Sequence, residues 1–196
     1  MKPKETEEWN EIYLNPLGKV PWHSDKAPKS LIKAIKKIKK GLALDVCCGA
    51  GTNSIYLSKN GFKVKGIDIS ERAIEIAKDR AKKEEADIDF RTGDVLELKE
   101  KNKFDLVFDR GCFHHISKNH RSKFANKIYN VLKKNGTYHL MAFSDRNNFE
   151  KSLSRKDIIN SFSKYFNIGK IKEETHVEPN KNKVYLYNAL MTKVGG

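Results

Sequence analysis

The chain has 196 residues, enough for one domain with a buried sheet and little for a second. Hydrophobic residues make up 38% and charged residues 33%, but the apolar positions fall in short runs, which argues against general disorder, against a bilayer span and against a secretory leader in the opening MKPKETEEWNEIY. The net charge of +14 comes mostly from lysines spread along the whole chain, a solvated basic surface rather than the clustered arginines and aromatics of a nucleic-acid site.

The three cysteines, two of them adjacent (Cys47 and Cys48), do not make a disulfide framework, and a reducing cytoplasm is the simplest setting. Helical spacing is expected from about Lys29 to Lys40, with Leu31, Ile35 and Ile38 on one side and Lys33, Lys36, Lys37 and Lys40 on the other. Leu42 to Val46 reads as a first strand running into a glycine-rich turn, followed by a helix over Thr52 to Asn60. Phe62 to Asp68 is a second strand, and Ser70 caps the next helix, in which Ala73, Ile74, Ala77 and Ala81 recur at helical spacing. Ile88 to Arg91 and Phe104 to Asp109 are the third and fourth strands. A helix carrying Phe124, Ile128 and Val131 is expected to stop at Asn135-Gly136, before a fifth strand over Thr137 to Phe143. Ser154 with Asp157 resembles an acidic capping box ahead of Ile158, Ile159 and Phe162. Phe166 to Ile171 and Val184 to Thr192 close the chain as an antiparallel strand pair. This alternation predicts a mostly parallel sheet with helices on both faces, and ligands at the carboxyl ends of the strands.

Four of those ends carry acids: Asp45 beside the turn, Asp68 after the second strand, Asp94 in Thr92-Gly93-Asp94-Val95, and Asp109 after the fourth. Any one of them serves equally well as a turn residue or helix cap; four in succession favour a site. A carboxylate where Asp68 stands can accept hydrogen bonds from both hydroxyls of a ribose. Glycines in the turn admit positive φ and a close approach of ligand to backbone, while the Lys-Ser/Thr ending of a phosphate-binding loop is missing.

LDVCCGAG, VKGIDIS, TGDVLEL and FDLVFDRGCFHHI resemble, in order, the motifs of class I S-adenosylmethionine-dependent methyltransferases, over about Leu42 to Phe143. The resemblance implies a Rossmann-like α/β fold with a seven-stranded sheet and S-adenosyl-L-methionine as cofactor, leaving S-adenosyl-L-homocysteine as product. It assigns Asp45, Gly49 and Gly51 to the methionine part of the cofactor, Asp68 and Ile69 to the ribose and adenine, and Asp94 and Val95 to the adenine edge; Cys47, Asn53 and Asp109, the last beside the expected substrate pocket, are further cofactor-binding candidates. Cys47 departs from the motif, which has its first glycine there.

The flanks narrow the resemblance. Trp9-Asn10-Glu11-Ile12-Tyr13, Val20-Pro21-Trp22 and Ala27-Pro28 look like the N-terminal segment of small-molecule methyltransferases related to the thiopurine, thiol/halide and tellurite-resistance enzymes. Residues 1–40 are then a lid segment and helix over a cofactor-binding unit of residues 41–196, with Trp22 nearest the cofactor. The aromatic residues of the lid equally suit anchoring by apolar burial. In Asp109-Arg110-Gly111-Cys112-Phe113-His114-His115 the same relatives point Arg110, Phe113 and His114 towards the pocket. His114 is a candidate base or substrate contact, and Arg110 a candidate for attracting an anionic substrate.

The function expected is methyl transfer to a small molecule, such as a thiol, halide or other soft nucleophile, by a monomer or weak dimer with no membrane partner; a nucleic-acid partner is the less favoured case, which the charge leaves open. Methylation of RNA or protein is the alternative raised by the charge, and a non-catalytic S-adenosyl-binding module the alternative raised by Cys47. Asp109, Asp145 and Asn147 offer oxygen ligands for a cation, but their spacing is generic and no metal is expected.

Overall fold

The computed structural model describes residues 3–178 and 181–195. Eight strands, β1 (Leu42–Val46), β2 (Lys63–Asp68), β3 (Ile88–Thr92), β4 (Phe104–Arg110), β5 (Leu132–Phe143), β6 (Phe166–Ile168), β7 (Lys172–Val177) and β8 (Lys183–Lys193), form one sheet. Its order is β3-β2-β1-β4-β5-β8-β6, and β7 also pairs with β8. The sheet therefore has the expected seven positions, the outermost shared by two strands: β6 pairs with Met191–Lys193 and β7 with Lys183–Asn188 of the long strand β8. β1 to β5 are parallel and β8 is antiparallel to β5.

The helices are α1 (Pro3–Ile12), α2 (Lys29–Ala34), α3 (Thr52–Lys59), α4 (Glu71–Lys83), α5 (Arg121–Val131) and α6 (Arg155–Phe162). Alternation along the strands sends successive side chains to opposite faces, so both faces of the sheet are buried. Leu44, Val46, Val107 and Leu140 pack with Phe124 and Ile128 of α5 and Phe162 of α6. Ala43, Leu106, Phe108 and Met141 pack with Leu31 of α2 and Leu57 of α3. Each such large side chain contributes about 1.5–3 kcal/mol by leaving water. Ser70 accepts a hydrogen bond from the Ala73 amide at the start of α4, and the Ser154–Asp157 capping box opens α6, both as the sequence predicts. No described helix is long and apolar enough to cross a membrane.

Three elements differ from expectation. α2 ends at Ala34 rather than Lys40. Beyond it the Lys40 ammonium donates to the Ile35 carbonyl and sits 4.6 Å over the Phe62 ring, closing that end of the helix. α5 ends at Val131, because Leu132 is already extended and pairs with Phe104 of β4. Asn135-Gly136 then marks an irregularity within β5, not a helix end. Asn135 has φ 61°, and a Cβ on Gly136 would lie 2.9 Å from the Lys133 carbonyl. Strand β7, KEETHV, was not expected at all. Its polar, half-exposed residues suit an edge strand and carry no apolar alternation to read.

The candidate active site

β1 and β4 are adjacent parallel strands, with Val46 opposite Asp109. From β1 the chain winds outward one way through β2 and β3; from β4 it winds the other way through β5. The loops leaving β1 and β4 therefore diverge and open a crevice, the usual ligand position in such sheets.

The turn after β1 runs through positive φ at Cys47 (52°), Gly49 (52°) and Gly51 (77°). Two of these positions need glycine for space as well. A Cβ on Gly49 would sit 2.4 Å from the Tyr13 hydroxyl, and one on Gly51 would meet Phe90 at 2.8 Å and Ala77 at 3.0 Å. Gly51 caps α3 and lets it settle against α4 and β3; Gly49 lets the N-terminal segment reach the turn.

The four strand-end acids have different environments. Asp68 accepts the Gly49 amide on Oδ2 and the Ser70 amide on Oδ1, both at 2.8–2.9 Å, and borders the crevice. Burial raises its pKa. Asp45 is buried beneath the turn, accepts the Ser54 hydroxyl at 2.6 Å and is pushed by burial up to about 7. Asp109 is fully buried, accepting the Cys112 and Phe113 amides and the Tyr138 hydroxyl, and burial raises it to about 7 as well. Asp94 accepts the Leu96 amide at 2.8 Å and caps the 3-10 turn Val95–Glu97.

The N-terminal segment covers the crevice. Asn10 of α1 accepts the Ser70 hydroxyl at 2.8 Å, which docks α1 on the start of α4. Arg80 of α4 donates to the Ala50 carbonyl, to Thr52 and to Asp25, tying the loop before α2 to the glycine turn. Trp9 lies edge-on to Trp22 at 5.5 Å and to His115 at 4.9 Å. The cavity so enclosed is about 330 Å³, and its walls include Tyr13, Trp22, Asp68, Arg110, His114 and Phe143.

Arg110 donates to the Trp22 carbonyl (3.4 Å) and hydrogen-bonds His176 of β7 at 2.9 Å. No described carboxylate lies within ion-pair distance of its guanidinium, and burial lowers its pKa. His114 accepts the Phe143 amide on Nδ1 at 3.0 Å and stacks on the Phe143 ring at 4.2 Å. That bond leaves the proton of the neutral ring on Nε2. Burial holds His114 well below the usual histidine range and His115 at about 4, so both rings are neutral near pH 7.

Of the residues singled out in the sequence, Trp22, Cys47, Gly49, Asn53, Asp68, Ile69, Arg110 and His114 meet in this cavity. Asp45, Gly51, Asp94, Val95 and Asp109 do not line it. Asp45 and Asp109 brace the turns from below, Gly51 is occupied with helix packing, and the Asp94–Val95 segment is folded into its own 3-10 turn with Val95 buried. Phe113, expected at the pocket mouth, packs instead against Phe124 and Phe162 in the core. Asp145 and Asn147 are committed to Tyr187 and Tyr185 and make no shared site with Asp109. His23, His115, His176 and Glu178 line the cavity without having been singled out as site residues. His176 and Glu178 come from β7 and the residue after it, so missing that strand meant missing them. The cysteines also differ from expectation: Cys47 and Cys112 are joined as a disulfide, while Cys48 is free and buried. The two strands that precede Cys47 and Cys112 are hydrogen-bonded neighbours, which brings the pair together across 65 residues of sequence.

Residues 43–136 match the family model described as a methyltransferase domain. An uncharacterised methyltransferase of Schizosaccharomyces pombe is 38% identical over 105 residues, covering 53% of this chain and 72% of the relative. Among solved structures, one described under conversion of a disulfide bond into a thioacetal group during echinomycin biosynthesis superposes with a TM-score of 0.86 at 22% identity, covering 96% of this chain and 92% of that one. The N-methyltransferase NodS of Bradyrhizobium japonicum, solved with S-adenosyl-L-homocysteine, superposes with a TM-score of 0.80 at 15% identity, covering 97% and 98%. The chain belongs to the class I S-adenosylmethionine-dependent methyltransferases. It is an enzyme of methyl transfer, with S-adenosyl-L-methionine as its cofactor.

Proposed function

We propose that the chain methylates a small molecule at a soft nucleophilic atom, a thiol, a halide or the like. The supporting observation is the cover. With α1 docked on α4 and Trp9, Tyr13 and Trp22 over the crevice, about 330 Å³ remains, at the lower end of the range for small-ligand sites and unsuited to a folded macromolecular surface. In this reading residues 1–40 are the cover and residues 41–196 the cofactor-binding unit.

The cofactor supplies a sulfonium methyl group for in-line displacement. Two features of the wall suit it. The Gly49 position is a cradle that a Cβ would fill, and Asn53 Oδ1 is a buried acceptor without a partner among the described residues, which the cofactor's ammonium would satisfy. Asp68 and Ile69 would hold the ribose and adenine end, with Cys47, Gly49 and Asn53 at the methionine end. Of the residues outside the cavity, Asp45 and Gly51 would shape this site from behind. Asp109 would orient the β4 loop, and Asp94 and Val95 would fix the adenine end by their turn.

His114, neutral and with Nδ1 already accepting a backbone proton, would offer an Nε2–H as donor rather than act as base. A soft nucleophile needs no strong base, and orientation alone supplies much of the rate. Arg110, a half-buried cation with no carboxylate within ion-pair distance among the described residues, would attract an acceptor in its anionic form, such as a thiolate or halide.

The alternative is methylation of RNA or protein, favoured by the +14 charge; relatives of this chain carry the names of small-molecule and RNA methyltransferases alike. Methyl-labelled cofactor, incubated with a panel of thiols, halides and small amines and in parallel with bulk RNA and protein, separates the two. Label in the small molecules is the expected result; label only in macromolecules would overturn the proposal.

A further inference from the structure

Cys47 and Cys112, on loops that leave the neighbouring strands β1 and β4, both border the methyl-transfer cavity. Cys47 is the first residue of the turn after β1, at φ 52°, partly buried and bordering the cavity. Cys112 follows β4, borders the same cavity, and begins the segment that carries His114 and His115 into it. Their Cα atoms are 5.5 Å apart, within the range a disulfide spans without backbone movement. The register of β1 against β4, with Val46 opposite Asp109, fixes that spacing, so the two sulfurs remain neighbours when they are thiols.

We propose that Cys47 and Cys112 are a reversible thiol–disulfide site, oxidised by low-molecular-weight disulfides, whose state sets the affinity of the cavity for the cofactor. The inference needs only the cofactor assignment and is independent of the methyl acceptor. Cys47, the more accessible of the two, attacks a sulfur of the small disulfide as thiolate, forming a mixed disulfide and releasing one small thiol. The Cys112 thiolate then attacks the Cys47 sulfur and displaces the second small thiol. Two protein thiols are oxidised by two electrons, the small disulfide is reduced by the same two, and the two protons go to the two released thiols.

The bridge acts on binding because it links two loops that otherwise belong to separate strands. One, Cys47 to Ala50, borders the cavity where the cofactor would bind; the other lines the same cavity with Gly111, Cys112, His114, His115 and Ile116. The register holds the bases of the two loops side by side in either state; in the proposal their tips shift against each other as the cavity closes on the cofactor, and the bridge restrains that shift. Cys48 takes no part, being buried on the α4 side of the turn with Ile74, Ala77 and Phe90.

The test uses the full chain equilibrated across mixtures of reduced and oxidised glutathione, then alkylated and mapped by peptide mass. S-adenosyl-L-homocysteine is titrated calorimetrically into the fully reduced and fully oxidised forms. The expected result is a single bridge between Cys47 and Cys112 with Cys48 alkylated, and cofactor-product binding weaker in the oxidised form by about tenfold or more, the size of a typical coupling between two sites. Reduction with dithiothreitol should restore the affinity, and in Cys47→Ser or Cys112→Ser the affinity should not respond to glutathione. If Cys112→Ser does not fold, Cys47→Ser and the wild-type mapping carry the test. Failure of the bridge to form at any glutathione ratio, or equal or tighter binding in the bridged form, would overturn the proposal.

Discussion

At the scale of single residues, the cavity is set by a few close approaches. Gly49 has both a positive φ and the Tyr13 hydroxyl where a Cβ would go. Gly49→Ala should therefore weaken binding of S-adenosyl-L-homocysteine and destabilise the fold by about 1–3 kcal/mol. Adding Tyr13→Phe should recover part of that loss, as a double-mutant cycle by calorimetry and urea unfolding would measure. Asp68→Ala removes the acceptor for the Gly49 and Ser70 amides and should weaken cofactor binding roughly 10- to 100-fold, the worth of hydrogen bonds to a charged group. His114 is held neutral by burial, so the profile of kcat/KM against pH should show no limb near 6.5 that disappears in His114→Gln. Such a limb would restore the base. The sequence motifs single out Asp68, Gly49 and Asn53, and all three line the cavity: Asp68 ends β2, Gly49 lies in the turn after β1, and Asn53 lies in the first turn of α3. They do not distinguish Asp68, which borders the cavity, from Asp45 and Asp109, which lie beneath it. Asp68 is the last residue of β2, whereas Asp45 and Asp109 lie one residue before the ends of β1 and β4 and bond inward to Ser54 and Tyr138, a one-residue difference that the motifs do not carry.

At the scale of elements, local chemistry that closes on itself was readable and chemistry that depends on distant partners was not. The Ser154–Asp157 capping box is complete within four residues. Ser154→Ala should cost about 1 kcal/mol of stability, seen as a lower urea midpoint with an unchanged slope. Asn135-Gly136 carries the same signal as a helix stop, so the sequence places the α5–β5 boundary four residues too late. Pairing of Leu132 with Phe104, on a strand nearly thirty residues earlier, decides the matter. β7 escaped because its order comes from β8, through pairs such as Glu174 with Leu186, and not from its own composition. The cost was functional as well as structural, since His176 holds Arg110 from that strand.

At the scale of the whole molecule, buried titratable groups give stability an uneven dependence on pH. Burial lowers His115 and His139 to about 4, and His114 well below its usual value, so between about pH 4 and 6.5 the unfolded chain binds protons there that the native state does not. Stability therefore rises with pH across that window. Asp45 and Asp109, raised to about 7, work in the opposite direction, because the native state keeps their protons up to that pH. Burial also lowers His23 and His176 and raises Asp68, so five histidines stand against three acids and outweigh them below about 6.5; above it Asp45 and Asp109 still titrate. The urea midpoint should rise to a maximum near pH 6.5 and decline gently beyond it, and Asp109→Asn should lessen the decline. A midpoint higher at about pH 5 than at 6.5 would contradict this balance. Net charge, the most conspicuous property of the sequence, takes no part in shaping the cavity, where Arg110 is the single described lysine or arginine in the wall. The central claim about the molecule is that the cofactor binds in the crevice between β1 and β4. Amide NMR of the isotope-labelled chain, titrated with S-adenosyl-L-homocysteine, tests this most directly. Shifts concentrated at Cys47 to Asn53, Asp68, Ile69 and Arg110 to Ile116 are expected. Shifts confined to another face of the molecule, or no shifts in a folded protein, would contradict it.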